Sequence, residues 1–107
     1  MEFHHIAIRV PEEKIAAWDA HLAREFPKLE APAGFALVIA RDNEQRGIYH
    51  MASVLADREQ VFKDVRAAGG GPLLLHPLLE QFGAEIVSRE RGTVAGLATP
   101  RWSYPAG

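Results

Sequence analysis

No cysteine occurs among the 107 residues of this chain. Disulfides, thiolate nucleophiles and cysteine-based zinc sites are therefore excluded. The lack fits a reducing compartment, and a cytoplasmic protein is expected. No apolar run approaches the roughly 20 residues that a membrane-spanning helix needs. The formal net charge is only −2, with acidic and basic residues interspersed. No basic face for nucleic acid and no charged run for a membrane surface is expected. The opening acid and two histidines do not read as a secretory leader. No nucleophile elbow occurs. The triple glycine Gly69–Gly71 lacks the lysine and hydroxyl residue of a phosphate loop, and it closes a helical pattern instead of opening one.

What is present reads as one domain over residues 1–98 with an extended tail over 99–107. Apolar residues make up 48% of the chain, enough for one modest core that would gain from burial against another copy. Phe3–Val10, "FHHIAIRV", predicts a strand from its β-branched and aromatic content. Pro11 suits a first helical turn, and Glu12 and Glu13 suit the positive end of the helix dipole. Ile15, Trp18, Leu22 and Phe26 then recur at helical spacing. "EAPAG" is a loop by its proline and glycine. "FALVIA" (Phe35–Ala40) predicts a second strand and "RDNEQRG" a hairpin loop closed by Gly47. Ile48–Leu55, "IYHMASVL", predicts a third strand. Asp57 and Gln60 have capping-box spacing ahead of a helix with Val61, Phe62, Val65 and Ala68 on one side. Pro77 predicts a short helical turn carrying Leu78, Leu79 and Phe82. Glu85–Arg89 reads as a strand, "ERG" as a turn and Thr93–Ala98 as a further strand. The strand–helix–strand–strand–helix–strand order predicts an α+β, ferredoxin-like βαββαβ sandwich with an antiparallel sheet.

The first and third strands repeat one another. Phe3 falls on Ile48, His5 on His50, Ala7 on Ala52 and Val10 on Leu55. Two βαβ halves related by approximate two-fold symmetry account for most of this, since both openings are then equivalent central strands. Side chains alternate along a strand, so one face carries Ile6, Ile8, Val10, Met51, Ser53 and Leu55 and suits the helices. The other carries Phe3, His5, Ala7, Arg9, Ile48, His50, Ala52 and Val54. From the second strand, either Phe35, Leu37 and Ile39 or Ala36, Val38 and Ala40 extend it. That face is too apolar to be left in water, and a second copy of the sheet is the expected cover. A homodimer would enclose His5, His50 and Arg9 in a mostly apolar space, the usual build of a site for a small organic molecule.

His5 and His50 are the first candidates for catalysis. Imidazoles titrate in the right range for acid–base work, and a symmetric pair also suits a divalent metal if carboxylates complete the set. The plain alternative is two half-buried interface histidines. Arg9 would hold a carboxylate or enolate with its guanidinium fork; the alternative is an inter-chain salt bridge. Phe3, Ile48 and Val54 would line the substrate space, joined by His76 if the loop before Pro77 closes it. His4 faces the helices, His21 lies off the helical stripe and is expected in solvent, and Tyr49 and Trp18 are core. No cofactor is favoured, with a divalent metal on His5 and His50 kept open.

Two resemblances accompany these residues. The element order and small size resemble the dimeric α+β-barrel proteins, which include small monooxygenases, haem-degrading enzymes, muconolactone isomerases and ligand-binding stress proteins. That resemblance implies a homodimer and a cofactor-independent isomerase- or monooxygenase-type enzyme, or a binding protein. The words "FHHIAIRV" and "IYHMASV" also resemble the paired openings of the vicinal oxygen chelate group. That second resemblance implies a metal-dependent enzyme with His5 and His50 as ligands, a carboxylate from Glu44, Glu85 or Glu90, and βαβββ modules. A third reading is a non-catalytic interaction protein whose apolar sheet face and aromatic tail serve assembly.

Overall fold

The computed structural model describes residues 1–29, 34–67 and 75–98. The predicted C-terminal tail, the Gly69–Gly71 helix stop and most of the "EAPAG" loop lie outside them.

β1 (Glu2–Arg9) leads through Pro11 and a 3₁₀ turn (Glu12–Lys14) into α1 (Ile15–Glu25). The proline takes the cap position of that turn, and its carbonyl accepts the Lys14 N–H at 2.8 Å. β2 (Phe35–Arg41) and β3 (Ile48–Leu55) form the predicted hairpin. Gly47 ends their loop at φ +85°, the left-handed region that glycine reaches without a Cβ penalty. α2 (Arg58–Ala67) starts as its cap predicts, with the Gln60 N–H donating to Asp57 Oδ1 at 3.1 Å. The reciprocal half of the capping box is absent, because Gln60 Nε2 donates instead to Asp64, one turn on, at 2.9 Å. α3 (Leu75–Phe82) is a full helix through Pro77, longer than the predicted turn. β4 (Glu85–Thr93) is one strand.

The unbroken β4 overturns two expectations. "ERG" is not a turn, and Thr93–Ala98 is not a further strand. β1 supplies partners along the whole of β4: Glu90, Arg91 and Gly92 sit opposite His5, His4 and Phe3. A complete ladder on a central strand outweighs the local turn preference of glycine. A register shift beside Ala7 and Ile8 accommodates one extra residue of β4.

The sheet order is β2-β3-β1-β4, antiparallel throughout, with the repeated openings as the two central strands. This is the ferredoxin-like α+β sandwich. Among the described residues the helices pack against one face. Ile8, Val10, Ile15, Trp18, Tyr49, Leu79 and Phe82 form the main core, and Leu55, Val61 and Val65 with Phe35 form a second cluster under α2. The Trp18 ring lies 5.5 Å from Phe82, edge-on, and 5.6 Å from Tyr49. His21 is partly covered and not simply solvated, because α3 brings Phe82 edge-on to its ring at 5.3 Å. Among the described residues no helix is long and apolar enough to cross a membrane.

Candidate functional site

Among the described residues no helix lies on the opposite face of the sheet, and the composition of that face follows from strand register. β1 and β3 pair Phe3 with Val54, His5 with Ala52, Ala7 with His50 and Arg9 with Ile48. β2 adds Ala36 beside Val54, Val38 beside Ala52 and Ala40 beside His50. β4 adds Gly92, Glu90, Ser88 and Glu85 on the far side. The choice left open for β2 is thus decided: Phe35, Leu37 and Ile39 face the helices, and Ala36, Val38 and Ala40 are exposed on the open face. Phe3 and Val38 remain 37% and 58% exposed there.

His5 and His50 do not face one another directly across the ladder. Each sits opposite an alanine, which puts the two imidazoles on a diagonal with small neighbours at Ala7, Ala40 and Ala52. The two ring planes are inclined by only 20° with centroids 5.2 Å apart, and His5 Nε2 hydrogen-bonds His50 Nδ1 edge to edge at 3.0 Å. Diagonal contact across an antiparallel pair is within reach of ring side chains. The symmetric repeat therefore produces a physical pair.

Carboxylates stand at both ends of this pair. His50 Nε2 donates to Asp42 Oδ1 at 2.8 Å, and Glu90 Oε1 is 3.8 Å from His5 Nδ1. Asp42 is the first residue after β2, where alternation carries it to the same face as Ala40. Its Oδ2 accepts the amide N–H groups of Glu44 at 2.9 Å and Gln45 at 2.7 Å. The His50 hydrogen bond, then these two amides, hold its carboxyl down at about 2. The result is a continuous hydrogen-bonded line from the hairpin loop to the centre of the sheet: backbone amides, Asp42, His50, His5.

Sequence reasoning put His5 and His50 on one face and missed Asp42. Of the carboxylates it offered, Glu90 is beside the pair, Glu85 is engaged elsewhere, and Glu44 takes part only through its backbone amide. The signal that would have found Asp42 is its even spacing from Val38 and Ala40. Arg9 shares the face but pairs within the chain, with Glu85 at 3.2 Å, both ends largely exposed. Phe3 and Val54 form an apolar pair at one end of the face, and Ile48 sits beside Arg9 at the other. His76 is not brought to this group: it is exposed on α3, in the helical layer on the other side of the sheet. His4 also faces the helices and hydrogen-bonds Glu2 at 2.9 Å.

Among the described residues no three histidine or carboxylate groups converge as a metal cage. The βαβββ order implied by the second resemblance is not found, since two helices follow β3. The paired openings express the internal symmetry of the ferredoxin-like fold instead.

No family model matches the chain, and no curated protein shows significant sequence similarity to it. Solved structures share its fold. One is a candidate antibiotic biosynthesis monooxygenase from Deinococcus radiodurans, with a TM-score of 0.65 at 13% identity over 96% of this chain and 100% of that one. Another is HapK from Hahella chejuensis, with a TM-score of 0.51 at 19% identity over the full length of both.

Proposed function

We propose that this protein acts on, or binds, a small and partly apolar organic molecule on the open sheet face, as a homodimer in which a second sheet covers that face. The observation that carries the reading is the Asp42–His50–His5 line. Two mutually hydrogen-bonded imidazoles backed by a carboxylate form an acid–base group, and they stand among alanines, Val54 and Phe3 where a substrate would displace water. The fold shared with a candidate antibiotic biosynthesis monooxygenase supports the same class.

In the enzymatic form, the histidine pair removes a proton from an acidic C–H or O–H. The electron pair stays on the substrate as a delocalised anion. In an isomerase, the proton returns at another position. In a cofactor-independent oxygenase, the anion itself reduces O₂, so that an activated methylene becomes a carbonyl and the second oxygen atom leaves as water. Arg9 would hold the developing oxyanion after exchanging its Glu85 partner. Phe3, Ile48 and Val54 would contact the apolar body. No cofactor or metal enters this scheme.

The test uses enolisable ketones, phenols and hydroquinones as probes, with oxygen uptake and product analysis. The expected result is turnover without added cofactor, unaffected by a chelator. His5→Gln and His50→Gln should each lower it by about 10²-fold or more. Probe-induced shifts of the His5 and His50 imidazole signals without turnover would leave a binding protein. Neither turnover nor perturbation of those signals, or a dimer interface packed solid over both rings, would overturn the proposal.

A further inference from the structure

We propose that Asp42 is a positioning residue that makes His5 Nδ1 the proton-accepting atom of the site, by fixing the tautomers of two successive imidazoles. The inference rests on the acid–base reading of the histidine pair and deepens it.

Asp42 has no proton to give. Its Oδ2 is taken by the amide N–H groups of Glu44 and Gln45, and its carboxyl stays ionised down to about pH 2. A carboxylate only accepts. The proton in the 2.8 Å contact therefore belongs to His50 Nε2. A neutral imidazole carries one proton, so His50 Nδ1 is bare and must accept in the 3.0 Å contact. That requires the proton of His5 to lie on Nε2. His5 Nδ1 is left as the bare nitrogen, and Glu90 at 3.8 Å is too far to hydrogen-bond it. The reverse arrangement would set a bare His50 nitrogen against the Asp42 carboxylate. It would exchange a charge-assisted hydrogen bond for a repulsion, with only the long Glu90 contact in return.

Proton transfer then follows one route. The substrate C–H or O–H bond breaks, its electrons stay on the substrate, and an N–H forms at His5 Nδ1. The Nε2 proton of His5 passes to His50 Nδ1. The positive charge ends on His50 beside Asp42, and His5 is neutral again. No oxidant or reductant takes part in this step. The charged groups around the pair are Asp42 from the β2–β3 loop, Glu90 from β4, and Arg9 from β1 with its Glu85 partner.

The experiment is long-range ¹H–¹⁵N correlation of the imidazole nitrogens of the full chain, at a pH where the pair is neutral. His5→Gln and His50→Gln assign the signals. The expected wild-type result is a proton on Nε2 of both rings. In D42N the backbone amides still need an acceptor, so the side-chain oxygen turns to Glu44 and Gln45 and the –NH₂ faces His50. Both tautomers should then invert to Nδ1–H. For any probe that the enzyme turns over, kcat should fall by about 10²-fold or more. A wild-type His5 protonated on Nδ1, or unchanged tautomers in a folded D42N, would overturn the inference. If D42N does not fold, the wild-type spectrum alone decides. Predicted tautomers without turnover or probe binding would sink the acid–base reading and keep the assignment. Opposite tautomers with turnover retained would sink only the assignment.

Discussion

Val38→Lys separates the stability of one chain from its association. Val38 is in the middle of the edge strand β2, on the open face beside Ala52, and is 58% exposed. In a single chain the change touches little, and it should cost no more than about 0.5 kcal/mol. In a sheet-on-sheet dimer the same position would be covered. Complete burial of a valine is worth about 1.5 kcal/mol at the low end, so the remaining exposed fraction is worth about 0.9 kcal/mol. A two-fold interface contains the position twice, which gives about 1.7 kcal/mol. That is about a 20-fold rise in the dissociation constant. The figure holds if the lysine stem recovers none of the lost contact, and a stem that packs on the apolar face while the ammonium stays in water lowers it. An ammonium enclosed in the interface costs more. Sedimentation equilibrium over a dilution series gives the dissociation constant, and urea unfolding of dilute protein gives the single-chain stability. Equal dissociation constants for variant and wild type would refute the covered-face reasoning. So would a wild type that is monomeric at every concentration.

Further outcomes concern the loop, the core and acid stability. Gly47→Ala combines φ +85° with a Cβ only 2.9 Å from the Val10 carbonyl oxygen, and Gly47 also accepts the Val10 N–H at 2.8 Å. The left-handed conformation alone costs about 1–2 kcal/mol, so a urea-derived loss of at least about 2 kcal/mol is expected, and a negligible loss would show that the turn adapts freely. Ile8 is fully buried on a central strand. Ile8→Ala should cost about 2–5 kcal/mol and Ile8→Val about 1 kcal/mol, and equal melting temperatures for the two variants would contradict that packing. The Asp42 carboxyl is lowered from 3.8 to about 2 in the folded chain. Its contribution is therefore fully present above about pH 4 and is lost as pH falls towards 2. The stability difference between wild type and D42N, followed by urea melts across acid pH, should shrink over that interval. A difference that widens on acidification would have the wrong sign.

Much of the fold is legible because its signals are local. Ile15, Trp18 and Leu22 announce α1 by spacing alone, and Asp57 announces the start of α2. The errors come where a distant partner outweighs a local preference. β4 runs through Gly92 because β1 offers a complete ladder. His21 is shielded by Phe82 of α3, far along the chain. For the site, period-two alternation placed His5 and His50 together, but hydrogen bonding needs more than a shared face. His76 shows the converse: proximity to Pro77 and apolar neighbours says nothing about which side of the sheet its helix will occupy.

Legible in the residues alone were the order β1, α1, β2, β3 and α2, the internal repeat, the face that each residue of β1 and β3 takes, and the apolar character of the face that no described helix covers. Each is a consequence of side-chain period and composition, which act over a few residues. The tertiary structure alone decided that His5 lies diagonally from His50, that Asp42 reaches His50 from the hairpin loop, and that Arg9 is paired with Glu85. These depend on strand register and loop closure between distant segments. A one-residue slip of that register would send either histidine to the opposite face.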